Sequence, residues 1–325
     1  MQPRKTVIFR VFRGPHILME SFMDISVIIV NWNTRDLLLN CIRSVHETVR
    51  GIAFEIWVVD NGSTDGSQQA LRTSFPLVHL IENTTNRGFA AANNQALKRM
   101  SGRYALLLNS DAALTDGAAK ELLVFMESTP TAGMACGQLL NPDGSLQNSI
   151  ANFPTLMTLI SNETMLRILF PEKFPSKRRH YSGPIPVESG IGACLIVRKA
   201  AMDSVGIFDE RYFFFFEETD WAYRMHQDNW RIFFVPAARI IHAQGKSAGN
   251  NISSRILYYR SRYIYLKKWH PESFFLMASI LFIRLLVNAL FSLLGAVLTL
   301  GLARRLLDKT IVYFQLIAWH LKGCS

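Results

Sequence analysis

A chain of 325 residues, 49% hydrophobic and only 18% charged, holds enough apolar material for a substantial core and is not a disordered polymer. Its net charge of +10 suits a phosphate-bearing ligand or an anionic membrane surface. There is no zinc-finger spacing and no basic stripe interleaved with aromatics, so no nucleic-acid partner is expected; the scattered Cys41, Cys136, Cys194 and Cys324, with no CxxC pair, fit a reducing compartment.

Residues 1–22 carry Arg4, Lys5, Arg10 and Arg13 without an apolar run long enough for a signal peptide. They read as a disordered basic extension, with Met23 as a natural start. Next, Ile25-Ser-Val-Ile-Ile-Val-Asn-Trp-Asn33 reads as a buried strand. Leu37, Leu38, Cys41, Ile42 and Val45 recur at helix spacing over 34–49. A second strand is expected at 54–60, then a turn at 62–66 with Ser67 capping a helix. A strand at 78–82, a helix opening within 86–95 and a strand at 104–108 follow. This alternation predicts right-handed crossovers and a parallel sheet covered by helices on both faces. The strands end in Asn31, Asp60 and Asn109-Ser-Asp111, which places polar groups along the carboxyl edge where such sheets bind ligands.

Beyond a helix at 116–128 the pattern changes. Asn141-Pro-Asp-Gly144 is a hairpin-type turn. Residues 171–186 hold four prolines and the basic run Lys177-Arg-Arg179, and read as a mobile loop or one ordered on binding. Residues 189–198 form a strand in which Gly190 and Gly192 would let backbone approach a ligand. A helix starts at Glu217, and a strand at 232–235 precedes His242. The last section, 274–303, is almost wholly apolar, broken by Arg284 and Asn288; 285–303 alone would cross a bilayer. Both flanks are basic (Lys267, Lys268; Arg304, Arg305, Lys309), so no single orientation follows. A buried helical subdomain, a single span, and an interfacial or hairpin attachment all remain open. Residues 311–321, with Tyr313, Phe314 and Trp319, read as a second interfacial helix.

Asp111 at a strand end is suited to hold Mg²⁺ or Mn²⁺ through oxygen, or to serve as a turn or cap residue; Asp60 has the same ambiguity. Glu217, Glu218 and Asp220 are either ordinary helix-start acids or a general base beside the apolar run of Phe213, Phe214, Phe215 and Phe216. His242 is either structural or a partner of Asp111 on a metal. No GxGxxG follows a strand and no GxxxxGK[ST] occurs, which counts against dinucleotide oxidoreductases and P-loop NTPases.

Together these residues resemble the family 2 inverting glycosyltransferases of the GT-A fold, over 24–247. Val27-Ile-Ile-Val-Asn-Trp-Asn33 resembles the opening strand. Val58-Val-Asp-Asn-Gly-Ser-Thr-Asp-Gly-Ser67 is similar to the nucleotide-contacting turn, and Asn86-Arg-Gly-Phe-Ala-Ala-Ala-Asn-Asn94 to the helix start beside the donor. Asn109-Ser-Asp111 occupies the DXD position. Gly192-Ala-Cys194, Gly206-Ile-Phe-Asp-Glu210 and the segment from Glu217 to Arg224 resemble the acceptor-side block with its acidic base; the segment from Pro236 to His242 resembles the closing histidine segment. The pattern looks most like the rhamnosyltransferase branch, which uses a dTDP-linked deoxysugar in surface-polysaccharide synthesis. Two departures stand out. Asn109 replaces the first Asp of DXD, which weakens metal binding through that position, and Glu218 stands where Asp is usual, with Asp220 as the competing base. The processive Q-x-x-R-W signature is missing, so single addition is expected.

The resemblance implies a GT-A domain over 23–250, an α/β fold with a mostly parallel Rossmann-like sheet, and membrane-attaching helices over 251–325. It implies a catalytic base among Glu218, Asp220 and Glu217. The nucleotide-sugar contacts would come from Val30, Asn31, Asn33, Asp60, Asn61, Arg87, Gly88, Asn93, Asn109, Ser110, Asp111 and Gly192. Asp111 and His242 would hold Mg²⁺ or Mn²⁺. The partners implied are a nucleotide-diphosphate sugar, a lipid-linked or glycan acceptor and the cytoplasmic face of the cell membrane; a homo-oligomer is left open. Two other readings stand beside it: a family 2 enzyme using a UDP-hexose, and a non-catalytic nucleotide-sugar binder.

Overall fold

A computed structural model describes residues 23–176, 179–243, 252–300 and 302–323. The expected extension at 1–22, Lys177 and Arg178 of the basic run, and the 244–250 end of the expected domain lie outside the described residues.

The first half folds as a parallel α/β unit. Strands β1 (Ile25–Asn31), β2 (Phe54–Asp60), β3 (His79–Glu82) and β4 (Tyr104–Leu108) lie in the order β3-β2-β1-β4. Helices α1 (Arg35–Thr48), α2 (Ser67–Ser74) and α3 (Phe89–Leu97) make the crossovers. Expected and observed elements coincide within a few residues here, because β1 and β4 are apolar runs buried on both faces and β2 is one over its second half. The capping expectation is corrected. Ser67 is the first residue of α2, the cap position is Gly66 at φ +81°, and Asp65 Oδ1 accepts from Ser67 N at 3.1 Å. A left-handed residue there favours glycine over serine.

The second half is where the sequence misled. It contains β5 (Ala112–Leu114), α4 (Ala118–Ser128), β6 (Ala132–Leu140), β7 (Ile150–Ala151), α5 (Leu156–Ile160), α6 (Glu163–Leu169), β8 (Ile185–Val187), β9 (Ser189–Gly190), β10 (Cys194–Arg198), α7 (Lys199–Val205), α8 (Glu217–Gln227) and β11 (Arg231–His242). The expected single strand at 189–198 is two pieces. β9 pairs with β7 apart from the main sheet, while β10 runs antiparallel between β4 and β6. The completed nine-stranded sheet has the order β3-β2-β1-β4-β10-β6-β11-β5, with β8 on β11. β11 extends well past the expected 232–235, so His242 is its last residue. A register shift between Val235 and Arg239 hides this continuity, and Pro236, which has no N–H to donate, lies inside it. β6 escaped notice because it is built from small residues. A Cβ on Gly137 would stand 2.3 Å from Ile240 Cδ1, so β11 packs too closely for a bulky strand. Gly190 serves the same end, facing Cys136 and Leu195 instead of a ligand.

Two apolar layers cover the sheet, one under α1, α2 and α4, the other under α3, α7 and α8. A third cluster joins this sheet unit to helices α9 (Ile252–Trp269) and α10 (Phe274–Leu298), on which α11 (Arg304–Leu321) packs. It packs Tyr212 and Phe216 against Tyr265, Leu266, Met277 and Leu281. α10 is long and apolar enough to cross a membrane, with mean hydropathy 2.2. It buries a stripe of Met277, Leu281, Leu285, Ala289, Ser292 and Ala296, and its opposite face is exposed and apolar, with Phe275 at 81% and Leu298 at 83%. Arg284, the charge within it, donates to Leu159 O near the carboxyl end of α5, a helix end that favours a cation.

Candidate active site

The parallel register sets Asn31 beside Asp60 at the ends of β1 and β2. Asn31 Nδ2 donates to Asp60 Oδ1 at 2.7 Å and to Ser63 Oγ at 3.1 Å. Asp60 Oδ2 accepts from Ser63 N at 2.9 Å and Gln68 Nε2 at 2.7 Å. Asp60 is therefore buried and satisfied: it organises the turn. Asn33, at φ +53°, accepts from Thr64 N at 2.8 Å. Thr34 Oγ1 donates to Asn31 Oδ1 at 2.7 Å and lies 2.7 Å from Ser110 Oγ, which ties the first strand end to the fourth.

A cleft opens over these strand ends. Of the expected contacts, Val30, Asn61, Gly88, Asn109 and Ser110 line it, together with Trp32, Asn86, Phe89, Phe213 and Phe214, and with Ser254 and Leu257 of α9. Asn61 braces one wall. Its Nδ2 donates to Asn86 Oδ1 and Gly88 O, each at 3.2 Å, and its Oδ1 accepts from Asn83 Nδ2 at 2.9 Å. Gly88 sits at φ +83°, and a Cβ there would stand 2.5 Å from Phe213 O, so glycine is required. The approach lets Phe89 N donate to Phe213 O at 2.7 Å. Arg87 is exposed beside this wall. Asn93 is not brought to the cleft: it is buried and donates to Phe89 O within its own helix.

Asp111 and His242 come together. β5 pairs antiparallel with β11, which sets His242 opposite Ala112, and His242 Nε2 stands 3.3 Å from Asp111 Oδ1. Both residues are buried, and Asp111 Oδ1 has no hydrogen-bond partner. Gln147 Nε2 is committed to Asn141 Oδ1 at 2.9 Å and His242 O at 3.3 Å. Its Oε1 therefore accepts from His242 Nδ1 at 2.6 Å, which turns the imidazole lone pair on Nε2 toward Asp111. An orphaned carboxylate oxygen beside an oriented neutral imidazole fits a divalent cation whose remaining ligands come from donor phosphate and water. Among the described residues no third His, Cys, Asp or Glu joins them. No local pattern marks Gln147, which is 95 positions from His242 and meets it only through the return after the Asn141 turn.

The three candidate acids part company. Asp220 is wholly buried and fully engaged, by Lys268 Nζ at 2.7 Å, Trp269 Nε1 at 2.8 Å, Arg224 Nε at 3.0 Å and Tyr212 OH at 3.3 Å. Glu217 and Glu218 each keep a buried Oε2 without a partner. Burial pushes the Glu218 carboxyl up to about 7, against the helix-start N–H groups that lower it. Glu217 rises well above the usual carboxylate range, through burial and the charge of Glu218. Just before them, Phe215 at φ +70° and Phe216 at φ +67° are two consecutive left-handed non-glycine residues, a costly backbone held by Phe216 packing on Tyr258 and Tyr265. Gly192 faces Glu218, whose Cδ would lie 3.9 Å from a Cβ there. Its neighbour Ala193 accepts from Asn109 N at 3.0 Å, which links the acidic pair to the Asn109–Asp111 strand end.

A doubly covered sheet with a cleft, an oriented His–Asp pair and a high-affinity proton site on one edge is the apparatus of a group-transferring enzyme. Residues 26–206 match Glycosyl transferase family 2, and the chain belongs to that family; it is a glycosyltransferase. It is 30% identical over 231 residues to an N-acetylglucosaminyl-diphospho-decaprenol L-rhamnosyltransferase of Mycobacterium tuberculosis, covering 66% of this chain and 75% of the relative. A low-salt glycan biosynthesis hexosyltransferase of Haloferax volcanii is 24% identical, over 74% of this chain and 75% of its own. The fold matches a mannosyltransferase of Pyrobaculum calidifontis solved with GDP-Man and Mn²⁺. That match has a TM-score of 0.55 and 18% identity, over 92% of this chain and 86% of the other. The GT-A architecture and the likeness to the rhamnosyltransferase branch are as the sequence led us to expect.

Proposed function

We propose that the protein adds a single sugar, rhamnose from dTDP-rhamnose, to a lipid-linked glycan acceptor in cell-surface polysaccharide synthesis, with inversion at the anomeric carbon. The observation that carries the catalytic part is Glu218. Its raised proton affinity, its unpartnered Oε2 and its position facing Gly192 equip it to take a proton from an acceptor hydroxyl. That hydroxyl attacks the anomeric carbon as the nucleoside diphosphate leaves from the opposite face. Burial and the charge of Glu218 raise the proton affinity of Glu217, so the two acids do not readily carry charge together. Asp220 holds α8 to α9 and is not the base.

Asp111 and His242 would hold Mg²⁺ or Mn²⁺, which when bound supplies Lewis-acid stabilisation of the leaving diphosphate. Asn31, Asp60 and Asn33 shape the turn that would receive the nucleoside. Val30, Asn61, Gly88, Asn109 and Ser110 form the walls, with Arg87 beside the phosphates. The rhamnosyl donor and the lipid-linked acceptor rest on the rhamnosyltransferase relative. Attachment to the cytoplasmic face of the membrane through residues 251–325 rests on the exposed apolar face of α10. The test is donor binding and turnover across dTDP-rhamnose and UDP-hexoses, with Mn²⁺ and with chelator. Selective turnover of dTDP-rhamnose is expected. Preference for a UDP-hexose would overturn the rhamnosyl assignment and leave the mechanism standing.

A further inference from the structure

A second cleft, of about 320 Å³, lies between α9 and α11 and is lined by Arg255, Arg305, Lys309, Asp308, Val312 and Tyr313. Among the described residues, none of its three cations is ion-paired with a carboxylate. Arg305 and Lys309 are four apart on α11 and so share a helix face. α9 separates this cleft from the donor cleft. Ser254 and Leu257 face the donor side. At 3.6 residues per turn, Arg255 projects roughly 130° away from the midpoint of that pair. The two clefts are thus back to back across one helix, about 10 Å. α11 also packs on α10, with Ser292 Oγ of the buried α10 stripe donating to Leu306 O at 2.9 Å, and the outer face of α10 is left apolar and unpartnered. Phe291, Leu294 and Leu298 of that face are exposed.

A trio of unpaired cations beside an exposed apolar helix is the chemistry of a phosphorylated amphiphile. We infer that Arg255, Arg305 and Lys309 bind the diphosphate of the prenyl-linked acceptor, with its hydrocarbon lying along α10. The inference rests on the lipid-linked acceptor proposed above and names its anchoring site. It explains why a helix of the C-terminal region forms a wall of the donor cleft. The headgroup is held one helix width from the donor cleft, so an acceptor glycan of two or more sugars is needed to pass round α9 toward Glu218 while its lipid stays outside.

The test uses the full-length protein in neutral detergent, with calorimetric binding of farnesyl diphosphate, farnesol and the nucleotide sugar. Farnesyl diphosphate is expected to bind far more tightly than farnesol. The triple variant Arg255→Gln, Arg305→Gln, Lys309→Gln is expected to lose at least about tenfold for farnesyl diphosphate while nucleotide-sugar affinity holds. Asp308→Asn, which removes the one opposing charge, is expected to tighten farnesyl diphosphate about two- to threefold, and it reads the same site should the triple variant fold poorly. Equal farnesyl diphosphate affinity in all three proteins overturns the inference. So does a triple variant that loses only phosphatidylglycerol vesicles relative to phosphatidylcholine vesicles, since the cleft would then hold bulk headgroups. Loss of farnesyl diphosphate binding in a protein that transfers no sugar from any donor would sustain the cleft and sink the proposed reaction.

Discussion

Replacing Glu218 with Gln should trade activity for stability, and the trade has a pH signature. The carboxyl has an ordinary value of 4.5 and is raised to about 7 by burial. An acid whose folded value lies above its unfolded value binds more protons when folded. Stability therefore falls as pH rises from 4.5, and the loss is complete above about 7. The cost of holding the carboxylate charged is about 3 kcal/mol, taking about 1.4 kcal/mol for each pH unit. Glutamine removes the charge but leaves a buried amide short of partners, at about 1–3 kcal/mol, so the net gain at alkaline pH is about 0–2 kcal/mol. For a chain of this size each kcal/mol is roughly 2–4 °C in Tm. The Tm of the variant relative to the parent should therefore rise by several degrees between about pH 4 and about pH 8.5. Transfer should fall by at least about a hundredfold, with nucleotide-sugar affinity kept. The assay is thermal melting in detergent at both pH values beside a single-turnover transfer measurement. A variant that transfers normally, or whose Tm difference does not change with pH, would refute the reasoning.

Other residues give sharper single outcomes. Asp220→Asn removes the buried carboxylate shared by Lys268 and Arg224, but Lys268 keeps Asp209 and Arg224 keeps two carbonyls, so the cost should be about 1–3 kcal/mol, read as a lower urea midpoint. Wild-type transfer should decline as pH falls below about 7, because Glu218 takes up a proton; a flat profile between pH 5 and 8 would remove it from the base role. Gly88→Ala forces a side chain against Phe213 O and should weaken nucleotide-sugar binding at least about tenfold in equilibrium titration, whereas Gly192→Ala, with 3.9 Å of clearance, should bind normally. Gln147→Leu frees His242 Nδ1 and should raise the Mn²⁺ concentration for half-maximal activity by about 10–100-fold.

The parts legible in the sequence were those where one residue type answers one local demand. β1, β2 and β4 announce themselves because strands buried on both faces must be runs of branched apolar residues. Asp111 and His242 were paired from the family pattern, and antiparallel β5–β11 pairing brings them within 3.3 Å. What stayed hidden depends on partners far along the chain. β6 is small-residued because Ile240 and Ala238 press on Gly137, and no local pattern says so. Which of Glu217, Glu218 and Asp220 keeps a free oxygen is set by Lys268 and Trp269, about fifty residues away, which occupy Asp220 and leave the other two alone. Trp32 and Phe213, though plainly visible, lacked any reason to be assigned to the cleft until the Gly88 wall was in place.

The position of α9 has a consequence for how the enzyme is made. Its residues close the donor cleft through Ser254 and Leu257, seat Phe214 through Ser261 Oγ donating to the Phe214 carbonyl at 2.7 Å, and neutralise Asp220 through Lys268. All of these are translated after every strand of the sheet is complete. A nascent chain with its sheet folded still presents an open cleft and an Asp220 carboxylate held by Arg224 and Tyr212 alone. Competence thus arrives with the same stretch of polypeptide that carries the apolar helices. A fragment ending at residue 250, convenient for expression, would keep most of the fold and forfeit the function.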